Sequence, residues 1–310
     1  NYLLEKGFSV IGVSKSSFAN IKFNPIRFNK NEKKFKFFKL DINKSINKLF
    51  KIIERFKVDV VVDFAGQGMV AESWDYPELT FNTNVISKIR FYNFLIKKKY
   101  FKKYIKISTP EVYGSTKNLI SEQSNHNPST PYALSHSSID MYLKMINLHK
   151  GFPVIFGRFA NFYGPCQKLY RIIPLSIHKA YHKKKIDLHG GGKSKRSFIF
   201  SEDFCRAIFL LIKKAKTGEV YHFASDEYLS IKNLVFLIYK KFDLNPKKYI
   251  KITKDRVGKD KDYRMSTKKC KKDLKFKCKV SLSEGINETI AWYKKNKSKF
   301  IKQEEKFKIK

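Results

Sequence analysis

Short β-branched runs alternate with amphipathic helical segments through the first half of the chain, and few architectures accept that rhythm. Residues 8–13 (FSVIGV), 35–40, 58–64 (VDVVVDF), 104–108 (YIKIS) and 152–156 read as strands. Helical patterns fill the intervals at 46–56, 79–97 and 131–149, and a short helix over residues 1–6, stopped by Gly7, precedes the first strand. A helix between two strands returns the chain to the same end of the sheet, so the strands pair in parallel. The alternation therefore predicts an α/β fold built on a doubly wound parallel sheet. VDVVVDF is apolar at nearly every position, which predicts a strand covered by helices on both faces.

After about residue 164 the rhythm breaks into shorter pieces: GGGKSKR in a loop, an apolar helix at 202–212, and helices near 230–241 and 283–295. Residues 1–165 thus read as one α/β domain, 166–300 mainly as a smaller C-terminal lobe and 301–310 as a basic tail. The length of 310 residues suffices to bury cores of that size. No apolar run approaches the roughly 18 residues that span a bilayer, so no membrane partner is expected. Cys166, Cys205, Cys270 and Cys278 form no CxxC pair, which argues against a disulfide framework or zinc site and fits a reducing cytoplasm. His178 and His182 stand one helical turn apart but lack a third ligand, so no metal is expected.

A net charge of +38 attracts polyanions whatever the fold. Lysines, however, recur in nearly every segment rather than along one face, and no dedicated nucleic-acid site is read from them. Arginine is rare, nine of 65 basic residues, and it alone offers a rigid bidentate fork for phosphate. Arg158, Arg171, Arg196 and Arg256 are therefore the informative cations.

Ligands of open parallel sheets lie beyond the carboxyl ends of the strands. Strand 58–64 runs into Phe64-Ala65-Gly66-Gln67-Gly68, small residues that admit a flat cofactor close to the backbone. Strand 104–108 runs into Ser108-Thr109-Pro110-Glu111-Val112-Tyr113-Gly114, and Pro131-Tyr132-Ala133-Leu134-Ser135-His136 follows some twenty residues later. A hydroxyl, a carboxylate and a phenol converge on one sheet edge.

These residues, with Arg158-Phe159-Ala160-Asn161-Phe162-Tyr163-Gly164-Pro165, Arg171-Ile172-Ile173-Pro174, Gly192 to Phe198, Glu202-Asp203 and Asp255-Arg256-Val257-Gly258, resemble the extended short-chain dehydrogenase/reductase family, in particular its nucleotide-sugar 4,6-dehydratases. The similarity covers essentially the whole chain. It implies a Rossmann-type sheet holding NAD or NADP, a substrate-binding lobe, a nucleotide-sugar substrate and a homodimer. It also implies site roles. Tyr132 takes the proton of the sugar 4-hydroxyl, Thr109 bonds the same oxygen, and Glu111 removes the C5 proton before water leaves from C6. Ser14, Asp41, Ile42, Phe64, Ala65, Gly66, Gln67, Tyr132 and His136 are implied at the cofactor; Asn161, Arg171, Arg196 and Arg256 are implied at the substrate diphosphate. Glu111 favours a dehydratase or a decarboxylase over an epimerase.

The chain departs from the family pattern at three places. The pattern opens with a strand and a glycine-rich turn that cradles the cofactor pyrophosphate, whereas this sequence starts in the following helix, so it is expected to be a fragment. His136 replaces a lysine one turn after Tyr132, and an imidazole of ordinary pKa near 6.5 is expected to lose its charge in the working range. Pro110 replaces the aspartate of thymidine-nucleotide dehydratases, leaving Glu111 as base and acid. Ser14-Lys15-Ser16-Ser17 ends its strand without the acidic residue typical of NAD binding, so a 2′-phosphate remains compatible. A decarboxylase or epimerase on the same scaffold and a non-catalytic nucleotide-sugar binder are the competing readings.

Overall fold

A computed structural model describes residues 1–17, 26, 29–255, 262–300 and 305. Six parallel strands build the sheet: β1 (Val10–Ser14), β2 (Phe35–Lys39), β3 (Val60–Asp63), β4 (Lys103–Ser108), β5 (Val154–Phe159) and β6 (Val220–Phe223). They lie in two pieces, β2-β1 and β3-β4-β5-β6. Helices α1 (Ile46–Phe56), α2 (Ser87–Leu95) and α3 (Pro131–Lys150) cover one face, and α4 (Ser201–Lys214) covers the other.

Strand periodicity explains the two coverings. Side chains alternate across a strand, so Tyr104, Val154 and Phe156 pack with Leu49, Phe91, Tyr92, Ile139 and Leu143 on the first face, while Ile105, Ile155 and Phe159 pack with Phe204, Ala207, Ile208 and Leu211 on the second. The expected α/β architecture is thus present, with one correction. Val60, Val61 and Val62 are only partly buried rather than enclosed. Among the described residues β3 pairs with β4 alone and β1 with β2 alone, and both pieces border one large cleft, so the second edge of β3 lacks a neighbouring strand.

A third core lies among helices Ile172–Tyr181, Ile231–Lys240 and Leu282–Asn296 and strands Ile186–His189 and Lys195–Phe200. Residues 195–200 were expected in part as loop. They form a strand parallel to Asn161–Tyr163 because Phe198 and Phe200 alternate inward onto Tyr163. Among the described residues no helix is long and apolar enough to cross a membrane.

The helix expected at 79–97 is also broken. Pro77–Phe81 is α-helical, Asn82–Ile86 is a π turn, and α2 follows. A π turn inserts an extra residue per turn and re-aims the side chains around it. Here it turns Asn84 inward, where its Oδ1 accepts from the Gln67 amide at 2.8 Å and its Nδ2 donates to the Gln67 carbonyl at 3.1 Å and to Ser135 Oγ at 3.0 Å.

Candidate active site

The cleft between the two sheet pieces has a volume of 2010 Å³. Small-molecule sites usually occupy about 300–1,000 Å³, so this one combines a ligand site with the interval between β1 and β3. Its wall brings together Ser14, Asp41, Ile42, Phe64, Ala65, Gly66, Gln67, Thr109, Glu111, Tyr132, His136, Asn161 and Arg171. Arg196 stands apart from that lining. It is buried, its guanidinium donates to the Lys195 carbonyl at 2.7 Å and lies 4.2 Å from the ring centroid of Tyr263, which does line the cleft. Arg256 lies outside the described residues.

Local chemistry fixes each catalytic side chain. β4 ends at Ser108, and Thr109 caps the 3-10 turn Pro110–Tyr113, its hydroxyl accepting from the Glu111 amide at 3.3 Å. That cap holds Glu111 at the cleft. α3 opens with Thr130 accepting from the Ala133 amide at 3.1 Å and with Pro131 in the first turn, so Tyr132 sits at a rigid helix start. The Tyr132 amide donates to Ser73 Oγ at 3.1 Å, and Ser135 Oγ donates to the Tyr132 carbonyl at 2.7 Å. The Thr109 side chain lies close enough to the phenol to favour its ionised form.

Burial raises the Tyr132 phenol above its ordinary range, and the Glu111 carboxylate raises it further; the Thr109 side chain and the Arg171 cation pull it back. The ring of His136 stands 4.7 Å from that of Tyr132 in an edge arrangement. His136 departs from expectation. Burial and then the neighbouring Lys106 push it down to about 3, so it stays neutral through the working range instead of titrating within it. Among the described residues its Nδ1 is buried without a hydrogen-bond partner.

Sequence reasoning missed several contributors. Ser73 and Asn84 carry no motif, and their roles arise from contacts between distant segments. Lys88 and Lys106 were legible as lysines inside otherwise apolar elements, a costly placement unless partnered. Arg158 is wholly buried and bonded to Tyr113 Oη, to His126 Nε2 at 2.9 Å and to Asp140 Oδ2 at 3.0 Å, which makes it a structural cation. His178 is likewise engaged, its Nδ1 lying 2.7 Å from Tyr293 Oη.

Three histidines set an acid limit on the fold. Burial pushes His126 to about 4 and His136 and His222 to about 3, in each case ahead of charge effects. The folded state keeps them neutral while an unfolded chain protonates them near 6.5, so their contribution is present above about 6.5 and lost as pH falls toward 3 to 4. Each contributes up to about 1.4 kcal/mol per pH unit in that window, less for the partly exposed His126. Urea midpoints are expected to hold near about pH 8 to 7 and fall steeply by about pH 5. Constant midpoints down to about pH 5 would show these side chains to be solvated.

Comparison with known proteins bears on this geometry. A family model described as GDP-mannose 4,6-dehydratase matches residues 1–289. Human dTDP-D-glucose 4,6-dehydratase is 31% identical over 280 residues, covering 86% of this chain and 77% of that protein. A probable dTDP-glucose 4,6-dehydratase of Sinorhizobium fredii is 28% identical over 315 residues, covering 95% and 88%. Among solved structures, dTDP-glucose 4,6-dehydratase from Bacillus anthracis in complex with NAD superposes with a TM-score of 0.85 at 27% identity, covering 96% of this chain and 92% of that one. UDP-glucose 4-epimerase of Thermotoga maritima, with UDP-glucose, gives a TM-score of 0.84 at 25% identity, covering 95% and 93%.

Proposed function

The chain belongs to the GDP-mannose 4,6-dehydratase family, and on that footing we propose that it removes water from a nucleotide-linked hexose, with NAD as cofactor, to give a 4-keto-6-deoxy sugar. The observation that carries this reading is that Tyr132, Thr109 and Glu111 share one cleft wall, where Thr109 and Glu111 act on the phenol in opposite directions. One proton acceptor for a hydroxyl and a second for a carbon acid are what oxidation at C4 followed by elimination across C5 and C6 demands.

The residues present fit a dinucleotide. Ser14, Asp41 and Ile42 offer polar and apolar contacts at one end of the cleft, and the turn 64–67 with Tyr132 and His136 offers a flat approach at the other. At Gly66 an added Cβ would come within 3.0 Å of Asn84 Oδ1, so the turn is held close to its support and leaves its open side to the ligand. A bound nicotinamide supplies a reversible hydride acceptor; the remaining work falls to the protein. Tyr132 accepts the 4-hydroxyl proton while Thr109 orients the same oxygen. Glu111 then takes the C5 proton, which the new ketone acidifies, and returns it to the departing 6-hydroxyl; C5 must then regain a proton as the hydride that a bound nicotinamide would hold is restored at C6, so that the sum is one water lost. Asn161 and Arg171 meet the substrate's diphosphate, Arg171 by charge-assisted bonds. Arg196 supports that region through Tyr263, and Arg256 joins them in this reading.

The partner and compartment follow the same logic. Leu134, Met141, Met145 and Leu148 are exposed along one face of α3 at helical spacing, beside exposed Leu79 and Ile86. A stripe of that extent on a rigid helix suits a second copy packed by two-fold symmetry. Four free thiols suit a reducing cytoplasm.

The test is product mass. The protein is incubated with NAD and, in turn, dTDP-glucose, GDP-mannose, UDP-glucose and UDP-glucuronic acid. Loss of one water from at least one of them is expected. An isomer of unchanged mass or a loss of carbon dioxide would assign the epimerase or decarboxylase chemistry instead, and binding without turnover would make the chain a non-catalytic sugar-nucleotide binder.

A further inference from the structure

Five ionised side chains are packed behind Tyr132, between β3, β4 and β5 and helices α2 and α3. Asp63, Lys88, Lys106, Asp140 and Arg158 are each at most 4% exposed. Four of them are matched. Lys88 pairs with Asp63, whose other oxygen accepts from Tyr104 Oη at 2.6 Å. Arg158 pairs with Asp140 Oδ2 at 3.0 Å, and the same oxygen accepts from Ser108 Oγ at 2.6 Å. Lys106 is the third cation and has no hydrogen bond or ion pair among the described residues, so the cluster carries one surplus positive charge.

The position of that surplus follows from the register. Lys106 lies opposite Asp63 across the β3–β4 ladder, and strand alternation sends it to the same face as Tyr104 and Ser108. Helix α3 brings His136 and Asp140, one turn apart, to this face. His136 Nδ1 and Asp140 Oδ1 are both buried there with no hydrogen-bond partner among the described residues. A buried cation, a buried imidazole nitrogen and a buried carboxylate oxygen thus stand between β4 and the face of α3 that follows Tyr132.

We propose that Lys106 is a positioning residue of this site: its ammonium, delivered from the sheet, keeps the His136 imidazole neutral and gives the Tyr132 end of α3 a positive background that favours the phenolate during proton transfer. The second half of this assignment rests on the dehydratase reading; the hold on His136 does not.

Charge balance gives the assignment its content. The groups facing His136 are Lys106 from β4, Asp63 from β3, Lys88 from α2, and Tyr132 and Asp140 from α3 itself. After burial, Lys106 contributes most to holding His136 down, while Asp140 and Asp63 pull it up. With Lys106 neutralised, the two carboxylates balance Lys88 and Arg158, so the repulsion that adds to burial at His136 is gone and its proton affinity rises. The positive background behind Tyr132 is lost with it.

Lys106→Met, Lys106→Arg and the exchange Lys106→His/His136→Lys test this by two readouts. The first is the pH titration of the His136 ring resonance in histidine-labelled protein, with no substrate present. Wild type is expected to show no His136 titration above about pH 5, and Lys106→Met an upward shift of the midpoint by about one pH unit or more. The second is kcat against pH. Lys106→Met is expected to fall roughly tenfold or more below wild type across about pH 6 to 8.5, with KM nearly unchanged, because the positive background is gone and the still-neutral imidazole does not replace it. Lys106→Arg and the exchange variant should recover most of the loss.

An unmoved His136 titration in folded Lys106→Met overturns the assignment, as does a kcat equal to wild type at every pH. If Lys106→Met does not fold, Lys106→Gln carries the same two readouts and the exchange variant the second. Absence of turnover in wild type with every sugar nucleotide defeats the dehydratase reading alone, and the resonance titration still decides whether Lys106 governs His136.

Discussion

Tyr132→Phe is expected to lower kcat by roughly 100- to 10,000-fold while sugar-nucleotide affinity and thermal stability stay close to wild type. Phenylalanine fills the same space at the start of α3, and the bonds that fix this residue run from its backbone to Ser73 and Ser135, so the helix start survives. What disappears is the phenol hydroxyl that Thr109 and Glu111 act on. Because burial and Glu111 both raise that phenol, the wild-type enzyme forms its proton acceptor more readily as pH rises, and kcat should climb toward alkaline pH. The variant's residual rate should lose this dependence. Steady-state rates of both proteins across about pH 6 to 10 measure the effect, and a variant within about tenfold of wild type at every pH would move the acid/base role to another residue.

The second large effect belongs to Glu111. Glu111→Gln keeps the shape and the amide bond that caps the 3-10 turn, since that bond runs from the backbone to Thr109 rather than from the carboxylate. The carboxamide cannot take a proton from carbon. Oxidation at C4 should therefore proceed while elimination stalls, with overall turnover down by roughly 100- to 10,000-fold. Removing the charge should also lower the Tyr132 phenol, because Glu111 is the largest charge effect raising it. Two signatures follow: the 4-keto hexose accumulates, and the alkaline rise of the C4 oxidation shifts to lower pH. Deuterium uptake from solvent at C5 is the decisive measurement. Uptake at the wild-type rate would place the carbon base elsewhere.

Much of this architecture was legible in the sequence because it rests on periodicity. The β-branched runs at 10–14, 60–63 and 154–159 and the helix at 131–150 are local patterns, and the residues just after the strand ends are where an open parallel sheet must place its ligands. Thr109, Glu111 and Tyr132 could be named for that reason, and all three line the cleft. What stayed hidden depends on contacts across the chain. The partial exposure of Val60 to Val62 reflects a neighbour relation in the sheet that no single run encodes. His136 was expected to titrate near neutrality because a side chain read alone keeps its solution pKa; its neutrality comes from burial and from Lys106, thirty positions away. Arg158 was legible only as an informative cation; its role as the partner of Asp140 comes from contacts across the chain.

The π turn at 82–86 links the two ends of the site by counting residues. Through Asn84 it clamps the Gln67 peptide, on the turn after β3, to Ser135, whose hydroxyl is bonded to the Tyr132 carbonyl. The seat of a flat ligand and the seat of the phenol are thereby held in a fixed phase by one side chain. An α-helix advances about 100° per residue, so removing a single residue from this turn would restore a regular helix and swing every upstream side chain by that angle. Asn84 would leave both partners while the surrounding hydrophobic core stayed intact. Length, more than composition, is therefore the constraint on 77–95: deleting one residue there is expected to keep the fold and give up this alignment of the site.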